Sequence, residues 1–270
     1  MNVVYYNIPI IFWWNVTQNI SNPQHLYHAI AQNNVDEVKK LIPFFNLQSN
    51  NSPLMTAAQG GHVECLKLLI PVSDCTAHEN VALCLAAKNG HTECVKLLLP
   101  VSTPILSNSI GALRLAAEHG HAQCVQLLVS NCTDTNATAL LSASLHGHWE
   151  CVKILLPFAD PETLGPSLEA AARGGHAECV KLLLPVAGTN NGALKQALIN
   201  GRSECAEILY PHCNIAHTLW EIDQFYAKAS SMVSRQWVDE WMARKQHDAL
   251  TSEINENGGV GTASVRIKKM

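Results

Sequence analysis

The chain of 270 residues carries 18 Lys+Arg against 22 Asp+Glu, a formal charge of −4, so it lacks the basic footprint of a nucleic-acid binder. Hydrophobic residues make up 47% and charged residues 15%, an apolar balance that suits short helices sandwiched between neighbours. The length is ample for a large buried core, and the ten cysteines have to be placed before a secreted disulfide framework can be set aside.

Residues 1–24 are apolar and aromatic, with Tyr5, Tyr6, Phe12, Trp13 and Trp14. They lack a basic leader, and Asn7 and Pro9 interrupt a run too short to span a bilayer, so neither a signal peptide nor a membrane anchor is expected. The segment is expected to lie as a cap over the unit that begins at residue 25, with a separate docking motif as the alternative.

From residue 25 to 213 the chain repeats itself. GGHVECLKLLIP (60–71), NGHTECVKLLLP (89–100), HGHAQCVQLLVS (119–130), HGHWECVKILLP (146–157) and GGHAECVKLLLP (174–185) are variants of one phrase, with divergent copies at 33–43 and 200–211. With Asn34, Gly61, Gly90, Gly120, Gly147, Gly175 and Gly201 as marks, the steps are 27, 29, 30, 27, 28 and 26 residues. Self-similarity at this period marks a solenoid of stacked supersecondary units.

Each unit opens on a segment rich in small residues, such as GALRLAAEHG, in which Leu113, Ala116 and Ala117 recur at helical spacing. The glycine after it suits a left-handed helix C-terminus. A second helix then runs from the histidine to a last leucine, and in six of the seven units the next residue is proline, which is expected to stop it. In that helix Cys179, Leu182 and Leu183 form the apolar stripe, and Glu178 and Lys181 fall outside it, as do Glu64/Lys67, Glu93/Lys96 and Glu150/Lys153.

His176 and Cys179 lie three residues apart, the spacing of a metal pair or a Cys/His nucleophile. The divergent copies argue against either, because the first places Val35 and Val38 at those positions and the last replaces His with Arg202. Tetrahedral zinc needs four ligands at about 2.0–2.3 Å, whereas each unit offers two and the next pair stands about 10 Å away. The cysteine falls in the apolar stripe, where its pKa rises and its nucleophilicity is lost. The six equivalent cysteines (Cys65, Cys94, Cys124, Cys151, Cys179, Cys205) are therefore expected as free core thiols in a reducing, cytoplasmic compartment. No catalytic residue, metal or cofactor is expected, since P-loop, Rossmann, HExxH and nucleophile-elbow motifs are all missing.

Beyond Cys213, residues 214–250 read as two further helices, AHTLWEIDQFYAKA and SSMVSRQWVDEWMARKQHDAL. Val233, Trp237 and Trp241 fall at i, i+4 and i+8, a stripe expected to cap unit seven as a degenerate eighth repeat. Residues 251–270 lack periodicity and are expected to be disordered.

The phrase LxLAAxxGHxECVKLLL, best kept at 83–99 and 113–128, resembles the ankyrin repeat. That resemblance implies an all-α solenoid of about seven helix-turn-helix units. It also implies that the corner histidines pack and hydrogen-bond between units, and that partner proteins are bound on a concave inner-helix surface. Two departures bear on binding. The family's Thr-Pro-Leu-His opening survives only as Ser52-Pro53-Leu54, and the short period removes residues between units, so the β-hairpin fingers are expected to be shortened or absent.

The positions just before each Gly-His corner vary most, which is what a recognition row would look like and equally what neutral drift of exposed positions would look like. The candidates are Lys88, Asn89, Glu118, His119, Leu145, His146 and Arg173, with Trp149 added because an exposed tryptophan is a frequent hot spot. The expectation is a monomeric, non-enzymatic module with one or more protein partners, no nucleic acid and no membrane. An alternative is an adaptor whose C-terminal helices recruit other machinery.

Overall fold

The computed structural model describes residues 22–47, 51–74, 77–102, 109–130, 136–188, 190–228 and 233–257. Among them are helices and turns and no strand. Seven helix pairs succeed one another: α1 (Pro23–Ala31) and α2 (Val35–Leu41), α3 (Ser52–Gly60) and α4 (Val63–Leu69), α5 (Ala77–Lys88) and α6 (Thr92–Leu98), α7 (Ser109–Glu118) and α8 (Ala122–Val129). They continue as α9 (Asn136–His146) and α10 (Trp149–Leu155), α11 (Pro161–Gly174) and α12 (Ala177–Ala187), α13 (Asn191–Ile199) and α14 (Ser203–Leu209). Two more helices close the array, α15 (Ile215–Lys228) and α16 (Val233–Asn257).

The first helices pack side by side from α1 to α13 and on to α15, and the second helices form a parallel layer from α2 to α14. Small residues make this possible. Ala57, Ala86, Ala116, Ala143, Ala171 and Ala197 occupy one position of successive first helices, and all are fully buried. The cysteine column and the last leucines, such as Leu98, Leu155 and Leu209, fill the space between layers.

One hydrogen-bond pattern turns the chain in every unit. The corner residue's N–H returns to the buried alanine's carbonyl, as in His91 to Ala86, His121 to Ala116, His148 to Ala143 and His176 to Ala171, all 2.9–3.0 Å. This is the Schellman closure, and it places the residue before the corner at positive φ. In unit one that residue is Asn33 (φ 53), with Asn34 standing at the corner and its side chain capping Glu37 N at 3.2 Å. The sequence register is therefore one residue off there: Asn34 and Glu37, not Val35 and Val38, replace His and Cys. The slip arises because asparagine tolerates the left-handed conformation that glycine marks elsewhere.

The prolines act differently from expectation. Pro43, Pro71, Pro157 and Pro211 tighten the second helix into one 3-10 turn rather than stopping it outright. Pro185 lies inside α12, which continues to Ala187 before Gly188 closes it with an N–H to Leu184 at 3.2 Å. A helical proline sacrifices one i to i−4 bond, and near a C-terminus that loss is tolerated.

Where hairpin fingers would stand, asparagine side chains tie the short connections. Asn51 Nδ2 donates to Asp74 O at 2.5 Å, Asn136 Nδ2 to Phe158 O at 3.3 Å and Asn190 Nδ2 to Gly165 O at 3.2 Å. At the C-terminal end α15 extends the inner layer, with Thr218 and Ile222 buried against unit seven. Lys195 reaches Glu221 at 3.1 Å across that junction. Trp241 of α16 is 3% exposed and meets Tyr210 edge-on at 5.5 Å, with Trp237 stacked beside it. Lys245–Glu207 and Arg235–Asp223 ion pairs flank this contact. The α16 helix runs on past residue 250 to Asn257; residues 1–21, residues 258–270 and the Val233 side chain lie outside the described residues.

Candidate protein-binding surface

The corner histidines fix the backbone around the candidate positions. His91, His121, His148 and His176 each point Nε2 at the preceding unit, at Gln59 O, Lys88 O, Glu118 O and Leu145 O, at 2.9–3.0 Å. A carbonyl only accepts, so Nε2 carries the proton and the neutral tautomer is fixed. The same rings lie against the preceding corner glycine. In unit seven Arg202 substitutes for the histidine, its Nε donating to Arg173 O at 3.1 Å. Burial holds His148 below the ordinary imidazole pKa, opposed by its bond to the Glu118 carbonyl, with His146, His121 and His176 adding repulsion.

The structure sorts the sequence candidates into two columns and one outlier. Lys88, Glu118, Leu145 and Arg173 form a column on the inner helices whose backbone oxygens hold the next unit's corner side chain. The neighbouring column is turned onto its own helix. Asn89 Nδ2 donates to Leu85 O at 2.8 Å, and the Nδ1 atoms of His119 and His146 meet Leu115 O and Ser142 O at 3.0 and 2.9 Å. The His119 and His146 rings also stack on His121 and His148 at 6.3 Å. Trp149, 44% exposed, opens α10 and so belongs to the outer layer rather than to the row.

Sequence reasoning missed the positions one helical turn before the first column. Arg114, Leu141, Glu169 and Lys195 occupy them, and in α15, which extends the same layer, Trp220 is 59% exposed. Arg114 pairs with Glu118, so two rows act on each other within one helix. The i, i+4 spacing from a variable position was the available signal. On the outer layer Glu64–Lys67, Glu93–Lys96 and Glu178–Lys181 make ion pairs of 2.6 Å, all solvated.

The repeated cysteines are poor nucleophiles. Burial pushes the thiols of Cys94, Cys179 and Cys205 up to about 11 and that of Cys151 up to about 12, with a neighbouring glutamate or cysteine adding to each. Among the described residues no three His, Cys, Asp or Glu side chains converge as a metal would require. Nor is any described helix long and apolar enough to cross a membrane.

A family model of three ankyrin repeats matches residues 26–108 and again residues 83–164. The chain belongs to the ankyrin repeat family. Ankyrin repeats are generally protein-interaction modules without catalytic activity of their own, and they typically bind other proteins. A comparison with curated proteins finds no match to this ankyrin repeat chain.

Proposed function

We propose that this ankyrin repeat chain is a non-enzymatic binding module that captures a protein partner on its concave inner-helix surface. One observation carries the reading. Chemically unlike side chains, Lys88, Glu118, Leu145 and Arg173, project from equivalent positions of a scaffold whose corner bonds repeat from unit to unit. A monomer in a reducing cytoplasm, with no nucleic-acid partner, is the accompanying reading. It draws on the eight described free cysteines and the formal charge of −4. The test is capture of partners from a cell lysate by the full chain and by a variant with Lys88, Glu118, Leu145 and Arg173 changed to alanine, its helicity checked by circular dichroism. A partner lost by the folded variant supports the reading, and a variant that keeps every partner refutes it.

A second role rests on α16. Residues 246–252 of that helix are all exposed, with Leu250 61% exposed, which supports recruitment of a second protein by the C-terminal helix. Shortening the chain to residue 245 separates the two roles, because only recruitment predicts an intact array that loses one partner.

A further inference from the structure

The charges of the inner-helix face are unevenly matched. Arg114 pairs with Glu118, and Lys195 pairs with Glu221 at 3.1 Å. Glu169 lies over Gly192, the second residue of α13, so its carboxylate faces a helix N-terminus, where negative charge is stabilised. Among the described residues no ion pair joins Glu169 to Arg173, its i+4 neighbour on α11, although both border one groove. Lys88 and Arg173 are left without an ion pair among the described residues, and both are exposed. Two cations on the binding face of a chain with formal charge −4 are a local reversal of sign.

Arg173 also borders a groove of about 210 Å³ between α9, α11 and α13, in which Leu141, Pro166 and Ala170 supply the apolar wall, and Gln196 and Glu169 the rest of a polar rim. Leu141 is 40% exposed, a large aliphatic side chain with one face open. The groove has room for one large apolar side chain, and the guanidinium beside it matches a carboxylate in bidentate geometry.

Resting on the binding reading above, we infer that the partner presents an acidic segment in which a large apolar side chain stands beside a carboxylate. The apolar group enters the Leu141/Pro166 groove and the carboxylate pairs with Arg173. Lys88 is three units away, about 30 Å at the usual helix spacing, so about nine extended residues reach a second carboxylate there.

The test pans a random dodecapeptide display library on the full chain, then measures the enriched peptides by fluorescence anisotropy. Expected are peptides that join Leu, Phe or Trp to Asp or Glu, weakened at least about tenfold by Arg173→Gln, partly rescued by Arg173→Lys, and indifferent to the outer-layer change Lys181→Gln. Their affinity should fall with added salt. Enriched peptides without carboxylates, or with affinity unmoved by Arg173→Gln, overturn this inference. If those peptides are still blocked by Leu141→Glu, the inner-helix binding reading survives; indifference to every inner-helix change sinks both. Failure to enrich any peptide overturns the short acidic segment as the ligand and leaves the binding reading to the lysate experiment.

Discussion

Replacing Gly147 by alanine tests the joint between units five and six, and Gly201→Ala supplies its control. Both glycines have positive φ, 79° and 66°, so alanine at either costs about 1–2 kcal/mol in backbone strain. At Gly201 an added methyl meets nothing within 4 Å, and that strain is the whole effect. At Gly147 the methyl would come 2.7 Å from His176 Cγ, at the root of the ring, so the imidazole must swing away. Its 3.0 Å bond to Leu145 O then breaks, at a cost of about 1 kcal/mol for a net hydrogen bond, and the ring loses its packing as well. Gly147→Ala should therefore destabilise by about 2–3 kcal/mol and Gly201→Ala by about 1–2 kcal/mol, read as urea midpoints of the helical circular dichroism. In a His176→Ala background the excess at Gly147 should vanish, giving a coupling of about 1 kcal/mol. Equal losses at the two glycines, or zero coupling, would refute the view that the histidine stack joins the units.

Native protein treated with iodoacetamide at pH 8 should leave Cys94, Cys151, Cys179 and Cys205 unlabelled, and all four should label in urea; mass spectrometry finding them modified before unfolding would contradict their burial. Ser144 is fully buried with its hydroxyl unpartnered where Ala58, Ala87, Ala117 and Ala172 stand in other units, so Ser144→Ala should stabilise by about 1 kcal/mol, and a lower urea midpoint would count against it. Because His148 has a lowered pKa in the folded chain, the unfolded chain takes up its proton first; the stability is present above about pH 6.5 and is lost as the pH falls toward the folded value. Thermal melts from pH 7.5 to 5 should show a smaller acid loss for His148→Gln than for the parent, and an equal or larger loss would rule the histidine out as a source.

Much of the fold was legible because its determinants are local and repeated. The Gly-His corner, the alanine pair and the Cys/Leu stripe each fix a turn or a packed face within one unit, and each recurs often enough along the chain to be recognised. The errors fall where one residue does another's work. Asn33 takes the left-handed corner that glycine takes elsewhere, which displaced unit one by a residue. The helix over AHTLWEIDQFYAKA was legible as part of a degenerate eighth unit, but with Thr218 and Ile222 as its buried residues it lacks the alanine pair that marks the inner layer elsewhere. The candidate surface was half legible. Variability drew attention to the corner of each unit, but whether a variable side chain faces outward or folds back, as Asn89, His119 and His146 do, depends on hydrogen bonds to carbonyls that every sequence has.

The corner bond has a consequence for how such a chain can change. His91, His121, His148 and His176 hold the preceding unit by a main-chain oxygen, so the identity of the side chain on that residue does not enter the joint. The carbonyls of Lys88, Glu118 and Leu145 accept from a histidine, and that of Arg173 from the arginine that replaces it, Arg202. Substitution there is close to silent for stability, and a unit copied or exchanged whole arrives with its fastening intact whatever it displays. Drift at the row and duplication of units can proceed independently, which lets the array explore new partners without first being made more stable.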